Sequence, residues 1–114
     1  MSNIELDFDS QRFNLDHILP QNHQEGWEQF NDEQAEALVN RLGNMTLCET
    51  GLNRDIGNRE YEYKRSKYTE SGFALTKRIA EYYDQWLPDR VVKQQKWLAQ
   101  QAVTIWKTSQ FPGG

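Results

Sequence analysis

The chain has 114 residues and one cysteine, a length suited to one domain with a modest core and a cysteine count that excludes both a disulfide framework and a zinc-ribbon brace. Its formal charge of −4 is unevenly spread: residues 1–36 carry nine acids against Arg12 alone, a balance of −8, whereas residues 37–114 carry twelve Lys or Arg against eight Asp or Glu, a balance of +4. This excludes a strongly basic nucleic-acid binder, since nonspecific affinity for DNA comes mainly from basic residues that release counterions, but leaves room for a local basic face in the later part.

At the N-terminus, Met1-Ser2-Asn3-Ile4-Glu5-Leu6-Asp7 lacks the basic and apolar regions of a signal peptide. No apolar stretch approaches membrane-spanning length, so a cytoplasmic, reducing setting without membrane contact is expected. Arg12 to Leu19 follows as a strand, with Phe13, Leu15 and Leu19 on one parity and Pro20 ending it. The polar run Gln21-Asn22-His23-Gln24-Glu25 reads as a loop with His23 solvated. Asn31 with Gln34 three residues on is a capping signal, and Ala35, Leu38, Val39 and Leu42 keep helical spacing up to Gly43, so a helix over 31–42 is predicted. Met45 to Cys48 is the second strand, with Cys48 buried rather than reactive.

A helix from Asn53 or Asp55 to about Lys67, running through Gly57, then completes a ββα unit into which the helix at 31–42 is inserted. Leu75, Ile79, Tyr82 or Tyr83, and Trp86 recur at three to four residues; Pro88 suits a first helical turn, and Val91, Leu98, Ala102 and Ile105 or Trp106 continue the spacing. The aromatic residues here are expected to pack as core, because two short strands and one helix bury too little alone. Residues 108–114 read as a frayed end. The fold class is therefore α+β and mostly helical, a small ββα unit over about 12–68 with a helical annex over about 72–107, in a single domain spanning 1–114.

The chemistry concentrates at Asp16-His17-Ile18-Leu19-Pro20-Gln21. Hydrolysing a phosphodiester needs a base for the attacking water, and an imidazole with an unperturbed pKa near ~6.5 serves at neutral pH. It also needs a cation to neutralise charge on the phosphate and the leaving oxygen, and a carboxylate oxygen suits Mg²⁺. Adjacent strand residues point to opposite faces, so Asp16 and His17 can serve two atoms of one reacting group. Further on come Arg41-Leu42-Gly43-Asn44-Met45-Thr46-Leu47, Gly51-Leu52-Asn53-Arg54, and Asn58 with Lys64 and Arg65.

The order Asp-His, Asn, Asn resembles the HNH nucleases of the ββα-metal (His-Me finger) superfamily. It is more closely similar to the C-terminal domain of GmrSD-type modification-dependent restriction endonucleases, from about Leu15 to Ser71 and more weakly to Trp106. The Asp-His-Ile-x-Pro-Gln run and the spacing from Asn44 to Asn53 also resemble the HNH domain of the RNA-guided CRISPR effector nuclease. The resemblance implies a catalytic pair of His17, as general base, and Asn44, whose amide braces the loop and orients that base. It implies Asp16 and Asn53 as metal ligands for Mg²⁺, with Mn²⁺ able to substitute, and Arg54, Asn58, Lys64 and Arg65 as DNA phosphate contacts. Gly51 stands where the CRISPR domain has an acid, so the metal would have few protein ligands. Structural alternatives stand beside these roles: Asn44 as a turn residue, Asn53 as a helix N-cap, and Lys64, Arg65 and Lys67 as a solvated helix face.

The function implied is a metal-dependent endonuclease domain that nicks or cuts DNA, the effector of a restriction or phage-defence enzyme. No glycine-rich phosphate loop is present, whereas GmrSD-type enzymes couple this domain to an N-terminal nucleotide-hydrolysing region that supplies recognition. An excised domain or a subunit of a larger enzyme is expected. The alternatives are a non-catalytic DNA- or protein-binding module on the same scaffold, and an RNA-directed nuclease.

Overall fold

The structure, a computed structural model, describes residues 12–23 and 25–110, with side chains as far as residue 104. Strand β1 (Phe13–His17) pairs antiparallel with β2 (Met45–Glu49), in a register that sets Asp16 opposite Thr46 and His17 opposite Met45. Between them lie a bend at Ile18–Pro20, the buried Trp27 and Phe30, helix α1 (Asp32–Leu38) and a 3₁₀ turn at Leu42–Asn44. After β2 come α2 (Thr50–Ile56), α3 (Tyr61–Tyr68), α4 (Ala74–Tyr82) and α5 (Pro88–Gln110). The fold is thus α+β and mostly helical, with β1, β2 and α2 as its ββα unit. A two-stranded ribbon is not stable by itself, and here the helices supply the cover. A core that includes Ile18, Leu19, Trp27, Leu38, Cys48, Ile56, Tyr68, Ile79, Trp86 and Val91 joins β2 to the five α-helices.

Several predicted elements form as expected. Asn31 and Gln34 make both bonds of a capping box, Gln34 N–H donating to Asn31 Oδ1 at 2.8 Å and Asn31 N–H to Gln34 Oε1 at 3.0 Å. Pro88 opens α5, where its missing N–H costs nothing. Cys48 is buried, and desolvation, reinforced by the charges of Asp16 and Glu49, pushes its thiol up to about 12. Tyr83 and Trp86 pack edge to face in the core, with ring centroids 5.3 Å apart.

Other expectations are corrected. The helix predicted through Gly57 is two helices: Gly57 adopts φ +52°, its N–H closing α2 on Asn53 O at 3.1 Å, and the chain turns before α3 starts. Because α2 begins at Thr50 behind the capping position of Glu49, Asn53 sits in the helix and is not its N-cap. Helix α1 stops at Leu38, and Leu42, placed on its apolar spacing, is 63% exposed. The reason is Asn44, whose Nδ2 takes the Val39 carbonyl at 2.9 Å and ends the helix there.

Strand β1 ends at His17, not Leu19, and its parity is inverted: Leu15 is 55% exposed and Asp16 only 7%. Polar residues face inward because α2 and α3 cover that side with polar partners of their own. His23 also has a partner, Pro20 O at 3.1 Å from its Nδ1, where a solvated ring was expected. Helix α5 continues through residues 108–110, within the expected frayed end; residues 111–114 and the Ile105 and Trp106 side chains lie outside the described residues.

Candidate active site

An open cleft of about 410 Å³ lies between the end of β1 and α2, lined by Leu15, Asp16, His17, Pro20, Gln21, Asn22, Asn53, Gly57 and Asn58. The strand pair delivers Asp16 and His17, α2 delivers Asn53, and the left-handed Gly57 turns the chain so that Asn58 reaches the same space. Four of the residues singled out in the sequence, Asp16, His17, Asn53 and Asn58, therefore meet at one place.

Asp16 enters from below. Its Oδ2 accepts the Tyr68 hydroxyl at 2.5 Å and Lys64 Nζ at 3.4 Å, both donors arriving from α3. Burial and then the charge of Asp16 hold the Tyr68 pKa far above its ordinary value, so the phenol stays a donor. Burial outweighs the opposing charge of Asp16 and holds the Lys64 pKa below its ordinary value. Lys64 also donates to the His17 carbonyl at 2.6 Å.

His17 is partly buried, and its Nε2 lies 3.3 Å from Asn40 Oδ1, which also accepts from Gln21 Nε2 at 3.3 Å. Since that oxygen only accepts, the tautomer that satisfies the contact has the proton on Nε2 and a free lone pair on Nδ1. Asn53 donates from Nδ2 to Asn14 Oδ1 at 3.4 Å, which leaves its own Oδ1 as an acceptor.

Asp16 and Asn53 both line the cleft and carry hard oxygen atoms of the kind Mg²⁺ prefers, so they are the residues that could hold a divalent cation. Among the described residues no group of three or more His, Cys, Asp or Glu could hold a metal ion.

The remaining candidates are placed elsewhere. Asn44 is fully buried and saturated: Oδ1 accepts from Leu19 N–H at 2.8 Å and Trp86 Nε1 at 2.9 Å, while Nδ2 donates to Leu19 O at 3.0 Å and Val39 O at 2.9 Å. It has no bond left for substrate and braces the bend that follows His17. Lys64 is 0% exposed, which removes it from phosphate contact. Arg65, one residue and about 100° further round the helix, turns toward α4 and donates from Nε to Ala80 O at 2.8 Å. Arg54 is exposed on α2. Arg59 stacks on Tyr63, 3.9 Å from the ring centre, and pairs with Glu60 at 3.4 Å.

The partners missed in the sequence are Tyr68, Asn40, Asn14 and Lys64 in its buried role. For α3 a signal existed: Tyr61, Lys64 and Tyr68 fall at i, i+3 and i+7, one helical face, and all three are buried. A lysine within an aromatic stripe points to an interior partner.

Residues 2–101 match the family model described as GmrSD restriction endonucleases, C-terminal domain. No curated protein and no solved structure matches the chain.

Proposed function

The chain belongs to the family of C-terminal domains of GmrSD restriction endonucleases, and from that premise we propose that it is an HNH-type, metal-dependent endonuclease domain that hydrolyses DNA phosphodiester bonds at the Asp16–His17–Asn53 cleft. The observation that carries the proposal is the convergence of the Asp16 carboxylate, the His17 imidazole and the Asn53 amide on one open, polar cleft.

His17 Nδ1 takes the proton of the attacking water, with the ring held from its other nitrogen by Asn40. Asp16 and Asn53 would hold Mg²⁺ or Mn²⁺, which supplies charge neutralisation at the phosphate and at the departing oxygen. Asn44 fixes the bend after the base by gripping Leu19 on both its N–H and its carbonyl. Asn58 at the rim and exposed Arg54 are the phosphate contacts that fit this geometry.

One cation per cleft supports attack on one strand per encounter, so a double-strand break needs two copies. With a formal charge of −4 the chain has little general attraction for DNA, and a nucleotide-hydrolysing partner region supplies recognition in this reading. Among the described residues no helix is long and apolar enough to cross a membrane.

A plasmid-nicking assay tests the proposal. Conversion of supercoiled to open-circular plasmid is expected with Mg²⁺ or Mn²⁺, and neither in EDTA nor with His17→Ala. Nicking that survives EDTA or the loss of His17 would contradict it, and no nicking at high protein concentration would favour a non-catalytic module.

A further inference from the structure

Lys64 and Tyr68 occupy positions that neither a phosphate-binding nor a simple packing role explains. Lys64 Nζ is sealed beneath the cleft, 5.9 Å from the Trp27 ring centre, yet it touches both halves of the Asp16-His17 pair: the carboxylate of one and the carbonyl of the other. Tyr68 gives its single hydroxyl proton to the same Asp16 oxygen. A carboxylate at a cleft wall presents two equivalent oxygens and rotates between them. Two donors converging on Oδ2 remove that freedom and leave Oδ1 as the oxygen for an incoming cation.

His17 is the last residue of β1, where the ladder gives out, and the lysine bond to its carbonyl fixes the strand end that carries the base. We infer that Tyr68 and Lys64 are positioning residues that clamp Asp16 through Oδ2, presenting Oδ1 to a divalent cation and locking the His17 backbone in the same act. The inference rests on the cation reading of the cleft given under Proposed function. It makes α3 a working part of the site, although none of its side chains line the cleft. Partners that orient a ligating group set metal affinity as the ligand itself does.

The test is Mn²⁺ binding to the full chain without DNA, followed by electron paramagnetic resonance, beside circular dichroism to establish folding. Tyr68→Phe keeps the ring that fills the core and removes only the hydroxyl; it is expected to stay folded and to weaken Mn²⁺ binding by about tenfold or more. Nicking by this variant should recover as Mn²⁺ is raised to saturation, a recovery that a general structural defect would not give. Lys64→Met, of similar length, is expected to weaken Mn²⁺ at least as much.

A folded Tyr68→Phe that binds Mn²⁺ as tightly as the wild type, or more tightly, would overturn the inference while leaving the cation reading intact. A wild-type chain that binds no Mn²⁺ would overturn the cation reading and the clamp with it.

Discussion

Two asparagines mark two regions of the molecule that hydrogen-bond in opposite ways. In the cleft between β1 and α2, Asn53 commits one amide proton to Asn14 at 3.4 Å and keeps its oxygen available. In the seam behind it, where the 3₁₀ turn packs on α5, Asn44 commits both protons and uses both lone pairs, on Leu19, Val39 and Trp86. The seam is closed further at Gly43, whose N–H donates to Gln95 Oε1 at 2.6 Å and where an added Cβ would run into the Val91 carbonyl oxygen. The same residue type is structural where its bonding is complete and, in the proposed site, open to a ligand where it is not. The seam should accordingly tolerate nothing, and the cleft should tolerate substitution in stability while losing activity.

Asn44→Ala should show the largest effect. It strands two buried donors and two carbonyls, each worth about 1–3 kcal/mol, so a loss of ~4 kcal/mol or more is expected, read as a lower urea midpoint or as failure to fold. A variant as stable as the wild type would erase the contrast between the two regions. His17→Ala should do the reverse, since among the described residues the ring's only hydrogen bond is the 3.3 Å one to Asn40. Nicking is expected to slow by roughly 100- to 10,000-fold, as for loss of a general base, which takes it below detection in the plasmid assay, with the urea midpoint nearly unchanged.

Gly43→Ala sharpens the seam side. The methyl group must displace the α5 backbone, and overpacking of this kind costs about 1–3 kcal/mol, measurable by thermal unfolding, with nicking by the folded fraction preserved.

The smallest effect concerns Glu49 at the end of β2. Partial burial acts to raise its pKa, but hydrogen bonds from Gly72 N–H at 2.7 Å and Ser71 Oγ at 2.8 Å outweigh it and hold the carboxyl below the ordinary glutamate range. A depressed folded pKa contributes stability that is present above the unfolded value and lost as pH falls through the folded one. Glu49→Gln should therefore flatten the acid side of the stability profile below about pH 4.5 and leave the neutral side almost unchanged. A profile identical to the wild type would show that the link from β2 to the start of α4 contributes nothing.

What the sequence made legible was local chemistry. The Asn31–Gln34 capping box, Pro88 at a helix start and the apolar run at Met45–Cys48 are each decided within a few residues, and each formed. The Asp-His pair and Asn53 could be placed in one site only through the family resemblance, because 36 positions separate His17 from Asn53 and periodicity does not span that gap. Direction was what stayed hidden. Asp16 faces inward because a lysine and a tyrosine on a later helix make room for it, a pairing invisible to a strand parity based on apolar residues. Lys64 and Arg65 read alike as basic helix residues, yet one helical step sends the first beneath the cleft and the second to Ala80. The periodic pattern runs a helix through Gly57, but its φ of +52° splits that helix and brings Asn58 to the rim.

The central claim is that Asp16, His17 and Asn53 divide one reaction between a cation site and a base. The most direct test measures Mn²⁺ affinity and plasmid nicking in parallel for the wild type, His17→Ala and Asn53→Ala. The account predicts that His17→Ala abolishes nicking while Mn²⁺ affinity stays near the wild-type value, and that Asn53→Ala weakens both. Equal loss of Mn²⁺ affinity in the two variants would contradict the division, because it would make His17 a ligand and leave the cleft without its base.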